Sequence, residues 1–214
     1  KQKMMETKVE FHFIPGFVDR LIRGNNRFIF GHFFNFSPTN CKTPNVDVCI
    51  SARYRDSQSF RNYKYWQVIY SWLKRRGLKV AVLGSKKGTQ KLRDADCYSY
   101  DYGGVDACVE LLRKSKLIIT TDTGLAHLNT FIGTPMLILN IPGWPGERRH
   151  ILLNPRTRVF FTKDSCWNNP KDFVDEIKKY LVMFKIPKDR LKEQAEQELK
   201  DKKKMALKRN MPHV

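Results

Sequence analysis

The sequence predicts an α/β domain built on a Rossmann-like, doubly wound parallel sheet of about six strands. Two observations carry this. Strand-like and helix-like segments alternate through residues 46–185. The strand-like segments are apolar throughout, not alternately apolar and polar, which is the pattern of strands covered on both faces. Sheets of this kind bind ligands beyond the carboxyl ends of their strands.

VDVCISARY (Val46–Tyr54) reads as the first buried strand, rich in β-branched residues and closing on polar ones. YKYWQVIYSWLKRRG (Tyr63–Gly77) reads as a helix. Tyr65, Trp66, Ile69, Tyr70 and Leu73 fall at helical spacing, and Lys-Arg-Arg-Gly gives a basic last turn and a glycine stop. LKVAVLG (Leu78–Gly84) is a second strand, and DCYSYDY (Asp96–Tyr102) a weaker third. VDACVELLRKS (Val105–Ser115) is a helix with a basic end, and KLIITT (Lys116–Thr121) the fourth strand. GLAHLNTFIG is a helix closed by Gly133, TPMLILNIPG (Thr134–Gly143) the fifth strand and TRVFFT (Thr157–Thr162) a short sixth. Asn169-Pro170 opens a last helix through KDFVDEIKKYLVMF, with Pro at its first position.

The ends have a different character. Residues 1–45 are aromatic and basic without clear periodicity, and are read as an extension or linker. Residues 186–214 are charged and helix-prone, with Lys202-Lys203-Lys204, and are read as a basic helical tail or a solvated, frayed end. The central 46–185 is the expected ligand-binding domain.

The 214 residues suffice for one sizeable domain with a core. No apolar run reaches the roughly 18–20 residues of a membrane span, and the opening KQKMMETKVE lacks the apolar stretch of a secretory signal. The expected location is the cytoplasm, including its membrane periphery. The five cysteines, Cys41, Cys49, Cys97, Cys108 and Cys166, are odd in number and contain no C-x-x-C pair. They point to reduced thiols instead of a zinc site or disulfide framework. The formal charge is +19, of which +11 falls within residues 46–185. A basic body suits an anionic partner such as nucleic acid, a membrane surface or a phosphate-bearing ligand, though a generally basic composition alone would also produce it.

The most informative stretch is IITTDTGLAHLNTFIG, Ile118–Gly133, where a buried strand turns into a helix. The helix N-terminus offers free N–H groups and a positive dipole, a ready anion site. Gly124 lets a ligand approach the backbone without a Cβ in the way. Thr123 can donate its hydroxyl to a phosphate. His127, four residues on, shares that side of the helix and can donate too. Asp122 would be repelled by a phosphate, so capping the helix or meeting a sugar hydroxyl suits it better. A capping Asp followed by a core histidine explains the same residues without a ligand. There is neither a P-loop Lys nor a G-x-G-x-x-G.

The stretch DTGLAHL, set between a strand and a short helix followed by GTPMLILN, resembles the C-terminal half of GT-B glycosyltransferases. It is similar to the lipopolysaccharide heptosyltransferases of glycosyltransferase family nine. The matching residues are Asp122, Thr123, Gly124, His127, Gly133, Pro135 and Pro142-Gly143. ISARYR, SFRNYKYW, LKVAVLGS and the late Cys166 before Asn169-Pro170 extend the resemblance over about 46–185. It implies one half of a GT-B architecture and a nucleotide-diphosphate sugar donor, with a glycan or glycolipid acceptor. The donor diphosphate would lie on Thr123, Gly124 and His127. A basic side chain after the first strand would neutralise it, Arg53, Arg55 or Arg61, of which Arg61 best matches the family's Lys. Gly84 closes the second strand, and the base would lie near Gly103-Gly104. The family's ribose-binding Glu has no clear counterpart in GSKKGTQKL, where Thr89 or Gln90 would have to serve. The resemblance also implies inversion and transfer without cofactor or divalent metal, with helix N-termini and Arg or His donors stabilising the leaving phosphate. No D-x-D signature stands at a plausible metal site; DAD at Asp94–Asp96 reads as a polar connector.

The acceptor half is what residues 1–45 are too short to build. The expectation is one domain of a longer polypeptide, or an acceptor site built differently. His12, Asp19 and His32 are possible bases, and nothing selects among them. In GWPGERR, Trp144 could stack on a sugar or base and Arg148 and Arg149 could reach a phosphate, or the loop is simply solvated. Two other readings stand beside the transferase. One is a nucleic-acid-binding α/β module, using interleaved aromatic and basic residues, although FRNYKYW has core-like helical spacing. The other is a non-catalytic nucleotide-sugar-binding half that needs a partner.

Overall fold

The computed structural model describes residues 41–57, 59–90, 92–143 and 157–186, together with Lys192, Glu196, Gln197, Leu199 and Lys200, which are helical. The readings placed on His12, Asp19, His32, Trp144, Arg148, Arg149 and Lys202–Lys204 lie outside the described residues.

The elements are β1 (Val48–Ser51), a 3-10 turn (Ser59–Arg61), α1 (Trp66–Lys74), β2 (Val80–Val82), α2 (Lys86–Thr89), a second 3-10 turn (Ser99–Tyr102), α3 (Val105–Lys114), β3 (Leu117–Thr120), α4 (Gly124–Ile132), β4 (Met136–Ile138), β5 (Val159–Phe161), α5 (Ser165–Asn168) and α6 (Pro170–Met183). The five strands form one sheet in the order β2-β1-β3-β4-β5. Every neighbouring pair is parallel, with Val48 opposite both Val80 and Leu117, Ile118 opposite Met136, and Met136 opposite Val159.

Successive strand residues point to opposite faces, so an all-apolar strand feeds two cores. Val48, Ile50, Val80, Val82, Leu117 and Ile119 pack on one face with Trp66, Ile69 and Leu73 of α1 and Phe173, Ile177 and Leu181 of α6. Cys49, Ala81, Ile118, Met136 and Ile138 pack on the other with Cys108, Leu111 and Leu112 of α3 and Ala126 of α4. β1 to β4 are buried along their whole length, whereas β5, at the sheet edge, is half-buried. This is the Rossmann-like doubly wound architecture the apolar strands predict.

The helices end where the sequence signals place them. α1 closes on Gly77 at φ 69, whose N–H donates to the Lys74 carbonyl. Asn169 caps α6, its side chain accepting from the Lys171 amide, with Pro170 in the first turn. Tyr63, Trp66 and Tyr70 are each 4% exposed. In FRNYKYW and the helix that follows it these rings are therefore core and unavailable for stacking on bases, as their helical spacing implies. Phe60 is exposed.

The strand expected at Asp96–Tyr102 is the exception. A single parallel bridge joins Tyr98 to Val82, and the chain then turns into the 3-10 segment. The cause is Ser99: its Oγ accepts from the Gly84 N–H at 3.0 Å and donates to the Gly84 carbonyl at 3.2 Å. This clamp pulls the backbone out of the ladder, and the sheet has five strands instead of about six. Asp96 of the DAD connector pairs with Lys74.

Candidate functional site

The chain leaves β1 for β2 on one side and returns to β3 on the other, so the strand order switches direction between β1 and β3. A crevice opens at the carboxyl ends on either side of such a switch point, and ligands of open α/β sheets bind there. The residues at that point are Ser51, Thr120 and the turn Thr121–Gly124.

Three hydroxyls meet in it. Thr123 Oγ1 lies 3.4 Å from Ser51 Oγ and 3.3 Å from Thr120 Oγ1, tying β1, β3 and the start of α4 together. Thr123 is also the N-cap of α4: its backbone is extended and its Oγ1 accepts from the Ala126 amide at 3.3 Å. The capping role that suited Asp122 thus falls to Thr123. The first amides of α4 have no partner within the helix.

Asp122 instead organises two side chains. Arg61 Nη2 donates to the Asp122 carbonyl at 2.5 Å and lies 3.2 Å from its Oδ2. His127 Nε2 lies 3.5 Å from Oδ1 of the same carboxylate. All three side chains are nearly buried, at 11% for Arg61, 16% for Asp122 and 19% for His127, where charge pairs are screened less than on the open surface. One acid thereby holds a guanidinium and an imidazole beside a helix N-terminus.

The surrounding charge is positive. Between Arg53 and Lys64, four cations stand against Asp56 alone. Burial pushes the Arg53 guanidinium down to about 10, the neighbouring Arg61 and Arg55 adding to the shift and Asp122 opposing it. Burial also lowers Arg61, with Asp122 opposing and Arg55 adding. Both remain cations near neutral pH, crowded so that a bound anion would relieve them.

Gly124 is informative because the fold does not require it. A Cβ there would meet nothing within 4 Å, and its φ is not in the left-handed region. The space above it is open to a ligand. Gly103 and Gly104, at φ 117 and 67, make the corner between the second 3-10 turn and α3, a backbone need in its own right. Gly84 closes β2 under the Ser99 clamp. These three line the same carboxyl edge as the crevice.

Of the residues read from the sequence, Asp122, Thr123, Gly124, His127 and Arg61 are brought together, with Arg53 beside them. Ser51 and Thr120 join them without having been expected as site residues. Their signal is present in the sequence: each is a small hydroxyl closing an otherwise apolar strand.

Among the described residues, no helix is long and apolar enough to cross a membrane. No family model matches the chain, and no curated protein matches it. Among solved structures the chain is similar to E. coli heptosyltransferase WaaC with ADP, at a TM-score of 0.45 and 16% identity. That match covers 64% of this chain and 46% of the other, so the chain matches less than half of that protein's length.

Proposed function

We propose that this domain binds a nucleotide-diphosphate sugar in the crevice between β1 and β3 and serves as the donor half of a glycosyltransferase. The observation that carries the reading is the convergence at one switch point of a helix N-terminus, an unobstructed glycine and a basic cluster. The diphosphate would lie over Gly124, taking hydrogen bonds from the first amides of α4 and the Thr123 hydroxyl. Arg61 and Arg53 would balance its charge, and His127, steadied by Asp122, would donate from one turn further along. As the sugar departs, negative charge grows on the leaving phosphate. Fixed amides and guanidinium groups stabilise such charge without having to reorganise. The sugar would pass to a glycan or glycolipid acceptor with inversion and without a metal. The acceptor site and its base would come from a further domain of the same polypeptide or from a partner.

The test is calorimetric titration with UDP, GDP, ADP and dTDP and their sugars, on the wild type and on Gly124→Ala and His127→Ala. Micromolar binding of one nucleotide is expected, weakened at least about tenfold in each variant, the size of one charge-assisted hydrogen bond or more. Absence of binding to all four, in a chain whose unfolding transition is intact, would overturn the reading.

A further inference from the structure

In a sheet of parallel strands with returning helices, the strands begin and the helices end at one edge, opposite the crevice. That amino edge is one continuous surface. The Asp47 carboxylate accepts from the Lys79 amide at 2.8 Å and the Asp47 carbonyl from the Lys116 amide at 3.1 Å, joining the starts of β1, β2 and β3. Lys116 Nζ lies 3.5 Å from the Lys185 carbonyl, and the Arg158 guanidinium stands 4.8 Å from the centre of the Phe184 ring. These two contacts bring the end of α6 against the starts of β3 and β5.

The edge is cationic beyond what the helices need. Basic residues in a last turn suit the negative end of the helix dipole, which accounts for Lys74, Arg113 and Lys114. Lys79 and Lys116 stand outside any helix, immediately before β2 and β3. Lys185 has φ 52, the left-handed region in which glycine ends a helix at lower cost, as Gly77 and Gly133 do for α1 and α4. The turn alone therefore does not explain a lysine. Asp96 pairs with Lys74 and Glu110 with Lys114, and Asp47 is buried. Among the described residues no ion pair engages Arg75, Lys79, Lys116 or Lys185, and all four are exposed.

The open apolar surface at this edge is aliphatic. Val182 and Met183, in the last turn of α6, are 51% and 53% exposed beside Lys185. The rings here are covered: Arg76 lies 4.0 Å from the centre of the buried Trp72 ring, and Arg158 lies over Phe184. Single-stranded bases stack on open rings. A bilayer interface instead takes cations at its acidic headgroups and aliphatic side chains just below them. We propose that the amino edge docks the domain on a bilayer rich in acidic phospholipid. Arg75, Lys79, Lys116 and Lys185 meet the headgroup phosphates, and Val182 and Met183 enter the interface. Docked this way, the domain keeps the crevice, at the opposite ends of the strands, turned away from the lipid.

The experiment is co-sedimentation of the full chain with vesicles of phosphatidylcholine and phosphatidylserine, and with vesicles of phosphatidylcholine alone. Binding is expected to the mixed vesicles only, falling as salt is added. A cation at an anionic bilayer surface accounts for roughly a fivefold gain in partitioning. Arg75→Gln/Lys79→Gln/Lys185→Gln, at exposed positions where the fold is not at risk, is therefore expected to bind roughly a hundredfold more weakly. Lys86→Gln/Lys87→Gln/Lys171→Gln removes the same charge from exposed positions toward the carboxyl edge. There the bilayer's potential is screened, and binding is expected within about twofold of the wild type. Val182→Ser/Met183→Ser is expected to lose about tenfold. A duplex oligonucleotide at equal phosphate concentration is expected to leave the chain on the vesicles. Equal binding to both kinds of vesicle, an equal loss from the two charge variants, indifference to the serine variant, or transfer of the chain to the oligonucleotide would each overturn the proposal.

Discussion

Replacing Thr123 by Val removes one oxygen and leaves the side chain's shape nearly unchanged. That oxygen caps α4 through the Ala126 amide at 3.3 Å and lies 3.4 and 3.3 Å from the Ser51 and Thr120 hydroxyls. Loss of an N-cap costs about 1 kcal/mol. Leaving the buried Ser51 hydroxyl short of this partner adds roughly 0.5–1.5 kcal/mol, whereas the Thr120 hydroxyl keeps its bond to the Thr121 carbonyl. The expected total is about 2 kcal/mol. For a domain of this size each kcal/mol moves Tm by about 2–4 °C, so the Val variant should melt roughly 4–8 °C below the wild type. Thr123→Ser keeps the oxygen and loses one methyl, and should fall less than halfway to the Val variant. Thermal unfolding followed by circular dichroism separates the three chains. A Val variant as stable as the Ser variant would refute the claim that this hydroxyl ties the switch-point turn together.

The two glycines that bound α4 should behave oppositely. Gly133 is in the left-handed region at φ 93 with open space around it, so Gly133→Ala should cost about 1–2 kcal/mol from backbone alone, whereas Gly124→Ala should leave the unfolding midpoint within about 0.5 kcal/mol of the wild type. Phe173 is fully buried, with its ring edge-on to Tyr63 and Trp66 at centroid distances of 5.6 and 6.3 Å. Phe173→Ala should cost about 3–5 kcal/mol in denaturant titration, enough to leave much of the chain unfolded at 37 °C. Burial raises the thiols of Cys49, Cys97, Cys108 and Cys166, Cys97 to about 11. In the unfolded chain these thiols ionise near their ordinary value of 9.0. Their contribution to stability is thus present below about pH 9 and lost as the pH rises through 9 toward 11. An Ellman assay at pH 8 should find Cys41, the half-exposed one, reacting first and the other four only on unfolding.

The sheet is legible in the sequence because burial on both faces leaves a direct mark: VDVCIS, LKVAVL, KLIIT and PMLI are apolar runs of strand length with turn residues at each end. The helices are legible through periodicity and caps, as with Asn169-Pro170 and Gly133. DCYSYDY misleads because composition favours a strand there, while a tertiary contact, Ser99 on the Gly84 backbone, decides otherwise. Such a contact joins residues fifteen positions apart and leaves no local pattern. The short helices α2 and α5, of four residues each, escape sequence reading because one turn carries no period to detect. At the site, the residue types are readable from the strand-to-helix turn, but their division of labour is not. Asp122 and Thr123 are both good capping residues. Only the approach of Arg61 and His127 shows that the acid holds side chains while the hydroxyl holds the helix.

The measurement that bears most directly on the central claim is a titration of the ¹⁵N-labelled chain with inorganic pyrophosphate, read at every backbone amide. A diphosphate site at the switch point predicts the largest shifts at Gly124 and Leu125, with smaller ones at Thr123 and His127, saturating together. Shifts spread over the lysines of α6 and the C-terminal residues, with Gly124 and Leu125 unmoved, would mean that the chain's positive charge attracts anions without the crevice binding them.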